Sequence, residues 1–389
     1  MDTQTFSSLN ELLPWVDQIQ TPALIIHEHA LQRKLRCIKH IQTATNCKML
    51  YAMKPLTNLD ALKIIAPQVT GLATSSLFEA MLARNTVGKK GTVHITSPGF
   101  RPDEIDTLAQ LCDYIVFNSV SQYQRFRPQI RTNSHVGLRI NPELSFVADK
   151  RYDPCRLDSK LGVPLTAFLK IIHDHPEQFD ALSGLQCHNN CDSTDFAPLL
   201  TTVEHLIQHL GPFLQQIQWF NMGGGYLFTE TTDYTPLYTA IDRLQQSNLT
   251  VYFEPGATYV REAGFIVATV IDLFEQQNQT IAILDTTINH MQEVYEYQFS
   301  PTIYGHDNQA AHAYLLAGCT CLAGDLFGQY RFQTPLTIGS KIIFMDMGAY
   351  TQVKSHMFNG VNLPSLYGFD GNTCQLRKTF TFEDFLSRC

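Results

Sequence analysis

The sequence predicts an α/β protein in which a (β/α)8 barrel of the TIM type is joined to a smaller β domain. Two observations support this fold class. From residue 48 to residue 254, eight short apolar segments typical of strands alternate with amphipathic segments typical of helices. After about residue 262, strand-like segments follow one another with few helical patterns between them. Eight alternating units over roughly 200 to 250 residues suit a closed parallel barrel, whereas a doubly wound sheet would usually need fewer strands.

The barrel strands are predicted from short runs rich in β-branched and aromatic residues. They are KMLYAM (48–53), VTGLAT (69–74), TVHIT (92–96), DYIVF (113–117), HVGLRI (135–140), ALSGLQC (181–187), IQWFNM (217–222) and TVYFE (250–254). Between them lie helical patterns such as LFEAMLAR, PDEIDTLAQL and FAPLLTTVEHLIQHL. We therefore place the barrel at residues 28–262.

The β domain is predicted to combine the two ends of the chain, residues 1–27 and 263–389. Its strand-like segments are FIVATVIDLF, TIAILDT, HAYLLAG and SKIIFMDMGAY. The short segment ALIIH (23–27) precedes the barrel, and we expect it to join this domain as an extra strand.

Composition excludes several classes of protein. The 389 residues carry a formal net charge of -8 and are 16% charged and 44% hydrophobic, which indicates a full globular core and no basic surface for nucleic acid. The N-terminus lacks the apolar run of a signal peptide, and no stretch approaches the length of a membrane span. The ten cysteines show no paired CxxC spacing, which favours reduced thiols and a cytoplasmic location.

Polar residues or glycines stand at or just past the carboxyl end of most predicted barrel strands. Lys54 follows the first strand, Gly223 to Gly225 follow the seventh, and Glu254 closes the eighth. The other such residues are Ser75, Ser76, Asn118, Arg139, Asn141 and His188. In a barrel these strand ends share one rim, where active sites lie. Residues far apart in the chain are therefore expected to meet at one mouth.

Together, these rim residues predict a cofactor. Lysine is poorly suited to the end of a buried strand, so Lys54 either reaches water or forms a Schiff base as a desolvated amine. The glycines 223–225 either make a tight turn or free their amides for an anion. A Schiff-base lysine beside a phosphate cradle predicts pyridoxal 5'-phosphate, with Glu254 keeping the ring nitrogen protonated. His188 either stacks on the ring or has a structural role.

Several motifs resemble, in the same order, those of the pyridoxal 5'-phosphate decarboxylases with the alanine racemase fold, which include ornithine, arginine and diaminopimelate decarboxylases. They are YAMK followed by Pro55, HNNCD, NMGGGY, FEPG, GCTCLAGD and DMGAYT. The motifs INPE (140–143), YDPC (152–155), SKLGVP (159–164) and GCTCLAGD (318–325) are similar to those of the carboxynorspermidine/carboxyspermidine decarboxylases. The resemblance covers nearly the whole chain and implies an alanine racemase-like fold.

The resemblance implies a role for each matching residue at the cofactor. Lys54 carries the Schiff base, His188 stacks on the pyridine ring, and Glu254 pairs with the ring nitrogen. The other implied ligands are Gly224, Gly225 and Tyr350 at the phosphate and Arg139 near the ring hydroxyl.

The resemblance also implies that the active site is completed across a homodimer interface. Cys321 of the partner subunit would act near Cα of the substrate, where the proton is returned, and Asp325 would meet a substrate amine. Asp285, at the end of TIAILD, either faces the same amine or is a structural carboxylate. The implied substrate is a small cationic carboxylated polyamine.

The chain departs from the family pattern at the phosphate. Related decarboxylases continue EPG with an arginine that contacts the phosphate, whereas this chain reads EPGAT, with Ala257 in that place. We expect backbone amides, Tyr350 and hydroxyls such as those of Ser75 or Ser76 to bind the phosphate instead. The missing arginine counts against ornithine or diaminopimelate decarboxylase and fits the carboxynorspermidine group. The motif HNNC is a second departure from the family pattern. We expect Cys191, its last residue, to be a packed thiol.

The resemblance thus implies decarboxylation of carboxynorspermidine, carboxyspermidine or both to norspermidine or spermidine, in polyamine biosynthesis. The main alternative is diaminopimelate decarboxylase, whose substrate has a distal carboxylate that calls for an arginine in the pocket. An alanine racemase would have a tyrosine where GCTC stands, and a pyridoxal phosphate homeostasis protein would lack the β domain. A class I aldolase would use the lysine without the cofactor, so the absorption band of bound cofactor separates it.

No metal is expected, because CHNNC (187–191) matches no common zinc spacing. The sequence leaves open which of the two carboxylated polyamines is preferred, since one methylene is worth only about 1–3 kcal/mol in a pocket. It also leaves open which acidic side chains bind the distal amines.

Overall fold

This computed structural model describes residues 3–131, 133–229 and 232–389, and the chain divides into two compact units. The barrel unit consists of Lys34–Lys54 and Leu62–Thr258. The sheet unit consists of Met1–Arg33, Pro55–Ala61 and Tyr259–Cys389.

The strands in chain order are β1 (Ala23–His27), β2 (Lys48–Ala52), β3 (Gly71–Thr74), β4 (Thr92–Thr96), β5 (Tyr114–Phe117), β6 (His135–Asn141), β7 (Val163–Pro164), β8 (Gly184–Cys187), β9 (Trp219–Asn221), β10 (Thr250–Phe253), β11 (Gly264–Gln276), β12 (Gln279–Leu284), β13 (His312–Ala317), β14 (Leu326–Phe332), β15 (Lys341–Phe344), β16 (Ser365–Phe369) and β17 (Cys374–Lys378). The α-helices are α1 (Thr3–Leu12), α2 (Glu28–Thr45), α3 (Leu59–Ile65), α4 (Leu77–Val87), α5 (Ile105–Leu111), α6 (Val120–Phe126), α7 (Leu165–Asp174), α8 (Ala197–Leu214), α9 (Thr235–Gln245), α10 (Ala257–Val260), α11 (Gln292–Tyr297) and α12 (Phe382–Leu386).

Eight parallel strands of the barrel unit close on themselves in the order β2–β3–β4–β5–β6–β8–β9–β10, with β10 paired to β2. The predicted barrel and its predicted strands are therefore confirmed. The segment predicted at 181–187 enters its strand only at Gly184, because the amide of Leu182 closes a turn onto the carbonyl of Phe179 (2.8 Å). The short β7 pairs with β6 outside the closed ring.

Aromatic side chains fill part of the barrel unit's core. Trp219 lies against Gly137 and Gly184, which pair in register on β6 and β8. A Cβ atom would lie 2.1 Å from the indole at Gly184 and 2.4 Å from it at Gly137, so both positions need glycine. The ring of Tyr114 stacks on those of His94 and His135, at centroid distances of 4.1 and 4.4 Å. This packed core leaves the strand ends as the place for reactive groups.

The sheet unit is built on one mixed sheet in the order β14–β13–β12–β11–β1–β16–β17, and β15 also pairs with β11. The segment ALIIH forms β1, which pairs antiparallel with β11 and parallel with β16, so the strand predicted there is present in this sheet. Alternate residues of β11 enter two hydrophobic clusters, with Ile266 and Ala268 in one and Phe265 and Val267 in the other. Both faces of this part of the sheet are therefore covered.

Three strands of the sheet unit, β14, β16 and β17, were not predicted. The strand β17 has the sequence CQLRK and is exposed along most of its length, so it lacks an apolar pattern. The strand β14 contains Gly328 and two polar residues that interrupt its apolar run.

No helix in the described ranges is long and apolar enough to cross a membrane. The same ranges bring together no group of three or more His, Cys, Asp or Glu side chains that could hold a metal ion.

Candidate active site

Lys54 follows the first barrel strand and comes directly after the buried Met53. The backbone before it is held on two sides, since the amide of Met53 donates to Ala73 O (3.0 Å) and the amide of Ala52 donates to Pro255 O (3.0 Å). Its side chain is exposed. Electrostatic interactions link Lys54 to His188 and Glu254. The structure thus brings these three predicted site residues together at the carboxyl end of the barrel strands.

Glu254, just after β10, is held by hydrogen bonds with neutral groups. Asn221 Nδ2 donates to Glu254 Oε1 at 2.7 Å, and the backbone amide of Glu254 donates to Gly223 O at 2.7 Å. Burial raises the pKa of Glu254. The hydrogen bond from Asn221, the charge of Arg139, a hydrogen bond from Gln186 and the charge of Lys54 all oppose that rise in pKa. The net direction of the pKa is upward, so these groups reduce the cost of ionising the buried carboxylate without removing it.

His188 is held in one tautomer by the glycine segment. The amide of Gly224 donates to His188 Nδ1 at 3.0 Å, so Nδ1 is an acceptor and the proton of the neutral ring is on Nε2. Burial lowers the pKa of His188 well below its ordinary value, and the charges of Arg139 and Lys54 lower it further. The imidazole is thus neutral and fixed in orientation, as stacking on an aromatic cofactor ring requires.

The three glycines after β9 form a close backbone approach. Gly223 and Gly225 have φ of 69° and 90°, a region that favours glycine. A Cβ atom at Gly224 would lie 2.4 Å from Glu254 O, and one at Gly225 would lie 2.0 Å from Asn190 O. No side chain fits here without moving the backbone, so this segment is a cradle that only glycine can form.

Of the four backbone amides at residues 223–226, two are used within the protein and two are open. Asn221 Oδ1 accepts from the amide of Gly223 (2.8 Å), and His188 accepts from that of Gly224. The amides of Gly225 and Tyr226 donate to no other group in the described part of the chain. Two adjacent open N–H groups can bind phosphate oxygens. With Lys54, His188 and Glu254 beside them, the residues present fit pyridoxal 5'-phosphate.

The segment that follows the glycines is held in place by two hydrogen bonds to the backbone of Phe228. Lys34 Nζ donates to the carbonyl of Phe228 at 3.0 Å, and the amide of Phe228 donates to Thr258 Oγ1 at 2.9 Å. Lys34 is only 7% exposed. The threonine belongs to the EPGAT segment, in which Ala257 stands where the resemblance implies an arginine. This segment therefore contacts the residues that follow the glycines, through a hydroxyl.

Arg139 lies on β6 and is almost fully buried. Burial lowers its pKa, and the nearby groups Cys187, Cys155 and Glu254 oppose this. The segment 159–162 closes over it, because Asn118 accepts from the amide of Gly162 (2.8 Å) and donates to Lys160 O (2.8 Å). A Cβ atom at Gly162 would lie 3.1 Å from Arg139 Cγ. Asn118, a predicted rim residue, thus holds the covering segment.

Ser75 and Ser76, the predicted helpers at the phosphate, lie at the start of α4. Ser76 Oγ accepts from the amide of Glu79 (3.3 Å), and the amide of Ser75 donates to Glu79 Oε2 (2.7 Å). Burial raises the pKa of Glu79, while the Ser75 amide and the charge of Lys54 oppose this. The two serines therefore cap a helix that begins beside the rim.

In the sheet unit, Asp325 and Asp285 are occupied by donors of their own unit. Asp325 is 3% exposed and accepts from Thr287 Oγ1 (2.8 Å), the amide of Ile288 (2.7 Å) and the amide and hydroxyl of Thr320. Asp285 accepts from the amide of Thr269 (2.7 Å) and from Thr21 Oγ1 (2.6 Å). Contact of either carboxylate with a substrate amine stays a prediction.

Cys321 and Tyr350 also belong to the sheet unit. Cys321 is exposed, and its amide donates to Asn359 Oδ1 at 3.0 Å. Tyr350 has a φ of 59°, and its amide donates to Pro55 O at 2.8 Å. A tyrosine in this left-handed region is uncommon and is found where surrounding structure holds it. Their roles at the cofactor and substrate stay predictions.

Sequence reasoning missed Asn221, Gln186 and Lys34. Asn221 is the first residue of the NMGGGY motif and Gln186 precedes Cys187 in ALSGLQC, so both lie at strand ends. The rule that polar residues at barrel strand ends face the site could have found them. Lys34 is within a helix, and no sequence signal marks it.

Comparison with known proteins adds independent findings. A family model described as "Pyridoxal-dependent decarboxylase, pyridoxal binding domain" matches residues 29–261. The chain is 36% identical over 384 residues to the carboxynorspermidine/carboxyspermidine decarboxylase of Herminiimonas arsenicoxydans, covering 95% of this chain and 99% of the relative. It is 32% identical over 383 residues to the carboxyaminopropylagmatine decarboxylase of Synechocystis sp., covering 96% and 97%.

Among solved structures, the carboxynorspermidine decarboxylase of Campylobacter jejuni complexed with norspermidine is similar, with a TM-score of 0.86 and 31% identity. The match covers 95% of this chain and 100% of that one. A diaminopimelate decarboxylase of Pseudomonas aeruginosa is only 22% identical over 375 residues, covering 92% of this chain and 90% of the relative.

Proposed function

The chain belongs to the pyridoxal-dependent decarboxylases, and on that premise we propose that it removes CO2 from carboxynorspermidine, carboxyspermidine or both, in the synthesis of norspermidine and spermidine. The observation that carries the proposal is the near full-length likeness to relatives named for these substrates. The absence of the phosphate-binding arginine, with Ala257 in its place, also fits that group.

Pyridoxal 5'-phosphate, when bound, supplies an electron sink for the charge that loss of CO2 leaves on the substrate Cα. Lys54 would hold its aldehyde carbon, and the open amides of Gly225 and Tyr226 would hold its phosphate. We assign Tyr350 to the phosphate and Arg139 to the ring hydroxyl as further ligands. Gly224 contributes by orienting His188.

Each of three side chains at the rim would have its own role at the cofactor. Glu254 would pair with the ring nitrogen and favour its protonated form, and the hydrogen bond from Asn221 holds the carboxylate and eases its ionisation. His188, whose pKa is well below its ordinary value, would offer the face of its ring to the cofactor without adding charge. Lys54 would hold the cofactor between turnovers and leave its place to the α-amine of the substrate during them.

We further propose a homodimer in the cytoplasm, in which Cys321 of the partner subunit donates the Sγ proton to the substrate Cα after CO2 has left. The exposure of Cys321 and the anchoring of its amide by Asn359 support this role. The cysteines of the described chain are free, which suits a reducing compartment. Asp285 and Asp325 are kept as candidates for a substrate amine.

A second candidate substrate is carboxyaminopropylagmatine, because a relative of that name matches as much of the chain. It shares with the carboxylated polyamines an amino acid head on a cationic chain, so the same chemistry at Cα serves all three. Diaminopimelate is less well supported, because the relative of that name is much less similar.

The test is the release of CO2 by the purified protein from carboxynorspermidine, carboxyspermidine, carboxyaminopropylagmatine and meso-diaminopimelate, side by side. We expect turnover of the carboxylated polyamines, no turnover of diaminopimelate and no turnover by the Lys54→Ala variant. Turnover of diaminopimelate alone would overturn the proposed substrate. Turnover of carboxyaminopropylagmatine alone would select the second candidate.

A further inference from the structure

Two neutral amides on neighbouring barrel strands lie at Glu254. Asn221 on β9 donates to its Oε1 at 2.7 Å, and the side chain of Gln186 on β8 acts with it to lower the pKa of the carboxyl. These two amides are partners in register, so they face the carboxylate from the same level of the barrel. Asn221 is 1% exposed and Gln186 is 2% exposed, so water cannot readily take the place of either amide.

The orientation of Asn221 is fixed at both ends of its amide. Its Oδ1 accepts from the amide of Gly223 at 2.8 Å, so its Nδ2 is the atom directed at Glu254. Gln186 differs, because its Oε1 is buried without a hydrogen-bond partner in the described residues. Asn221 therefore serves both the carboxylate and the glycine turn, whereas Gln186 has no such second role among the described residues.

Neutral donors suit a carboxylate that must pair with a cofactor. A buried carboxylate is costly to ionise, and hydrogen bonds to its charged form reduce that cost. A cation in direct contact would do the same but would neutralise the charge that a protonated ring nitrogen needs. Amide donors stabilise the charge and leave it available.

We infer that Asn221 and Gln186 are positioning residues that keep Glu254 ionised and aimed at the ring nitrogen of the cofactor. The inference rests on the proposed use of pyridoxal 5'-phosphate in this site. Asn221 additionally couples the ring-nitrogen end of the site to the phosphate end, through Gly223.

The experiment compares the dissociation constants of the apo-protein for pyridoxal 5'-phosphate and for its 1-deaza analogue, in which carbon replaces the ring nitrogen. Gln186→Leu is expected to weaken binding of the natural cofactor about tenfold and binding of the analogue less than about twofold. Asn221→Leu is expected to weaken both, because the glycine turn that faces the phosphate is also released. Gln216→Leu, an exposed position, is the matched control and should change neither constant.

The pH profile of kcat/KM gives a second measurement on the same variants. The acidic limb of Gln186→Leu should move to higher pH, because Glu254 then protonates more easily. Equal weakening of both cofactors by Gln186→Leu with an unmoved acidic limb would show a packing role and overturn the inference. If the wild type bound both cofactors equally, the ring nitrogen would not be recognised, and the inference would fail while the proposed function stood. A wild type that binds neither cofactor would overturn the proposed function itself.

Discussion

Burial keeps several histidines of this protein neutral. Burial lowers the pKa of His94 to about 3, with His135 adding to the effect, and lowers that of His290 to about 3, with His356 adding to it. His94 is held by Thr92 Oγ1 at its Nε2 (2.9 Å) and by the stack on Tyr114. These two side chains contribute to stability only while they are uncharged.

The first prediction concerns stability against pH. The folded pKa of His94 lies below the ordinary value of 6.5, so the unfolded chain takes up the proton first as pH falls. The contribution of His94 to the free energy of unfolding is therefore complete above pH 6.5 and is lost as the pH falls toward about 3. In urea unfolding between about pH 7.5 and 5.5, His94→Phe should lose about 1.4 kcal/mol less of this free energy than the wild type loses. His209→Phe, at an exposed position, is the control, and an unchanged loss in His94→Phe would contradict the account.

The second prediction concerns Cys321. If the thiol returns the proton as proposed, Cys321→Ala should lower kcat for decarboxylation by about 100-fold or more, while binding of the cofactor changes little. Cys389→Ala removes another exposed thiol and should leave kcat unchanged. Parallel losses of turnover and cofactor binding in Cys321→Ala would indicate a structural thiol instead.

Some features of single residues could be predicted from the sequence and some could not. Lys54, His188 and Glu254 end barrel strands, so the closure of the barrel alone predicts that they meet. The surroundings of Asp325 depend on Thr287 and Thr320, whose donors reach it from two separate loops. Such hydrogen bonds leave no pattern in the local sequence.

Among the elements, the glycine turn after β9 is the one most tightly tied to the site. Its three residues approach Glu254, His188 and Asn190 more closely than a side chain allows. The amides of Gly223 and Gly224 are used within the protein, whereas those of Gly225 and the following Tyr226 are open. The proposed binding of the phosphate therefore depends on the shape of this turn.

The third prediction tests this turn. Gly225→Ala places a Cβ atom 2.0 Å from Asn190 O at a φ of 90°, so the turn must open. We expect the affinity for pyridoxal 5'-phosphate to fall at least about tenfold, since the phosphate amides move. Gly211→Ala in α8, where the added Cβ meets nothing within 4 Å, is the control and should keep or slightly raise stability. Unchanged cofactor affinity in Gly225→Ala would show that the phosphate binds elsewhere.

Element prediction worked best for strands with a continuous apolar run. Barrel strands such as β5 and β8 are buried along their whole length, which produces such runs. The strand β17 is paired on one side only and is mostly exposed, so its residues are free to be polar. Its place in the sheet follows from pairing with β16 and not from its own composition.

At the scale of the whole molecule, each unit is assembled from separate stretches of the chain. The sheet unit pairs β1, near the start, with β11 and β16 from the last third. The pairing of β1 with this sheet could be predicted, because the apolar segment ALIIH has the pattern of a strand but lies outside the eight barrel strands. The assignment of residues 55–61 to the sheet unit had no such signal.

The fourth prediction tests the proposed homodimer. If each site takes Lys54 from one chain and Cys321 of the partner subunit, a mixed dimer of Lys54→Ala and Cys321→Ala chains has one intact site. Co-expression of the two inactive variants should then restore about a quarter of wild-type activity, since about half of the dimers are mixed. Dimers that stay inactive on co-expression would contradict a shared site.

We propose that the carboxyl end of this barrel holds pyridoxal 5'-phosphate on Lys54. Borohydride reduction of the whole holoprotein, followed by digestion and mass spectrometry of the peptides, locates the lysine that holds it. We expect one phosphopyridoxyl group, on the peptide that contains Lys54, and none after reduction of the Lys54→Ala variant. A phosphopyridoxyl group on another lysine of the wild type, or none on any peptide, would contradict the proposal.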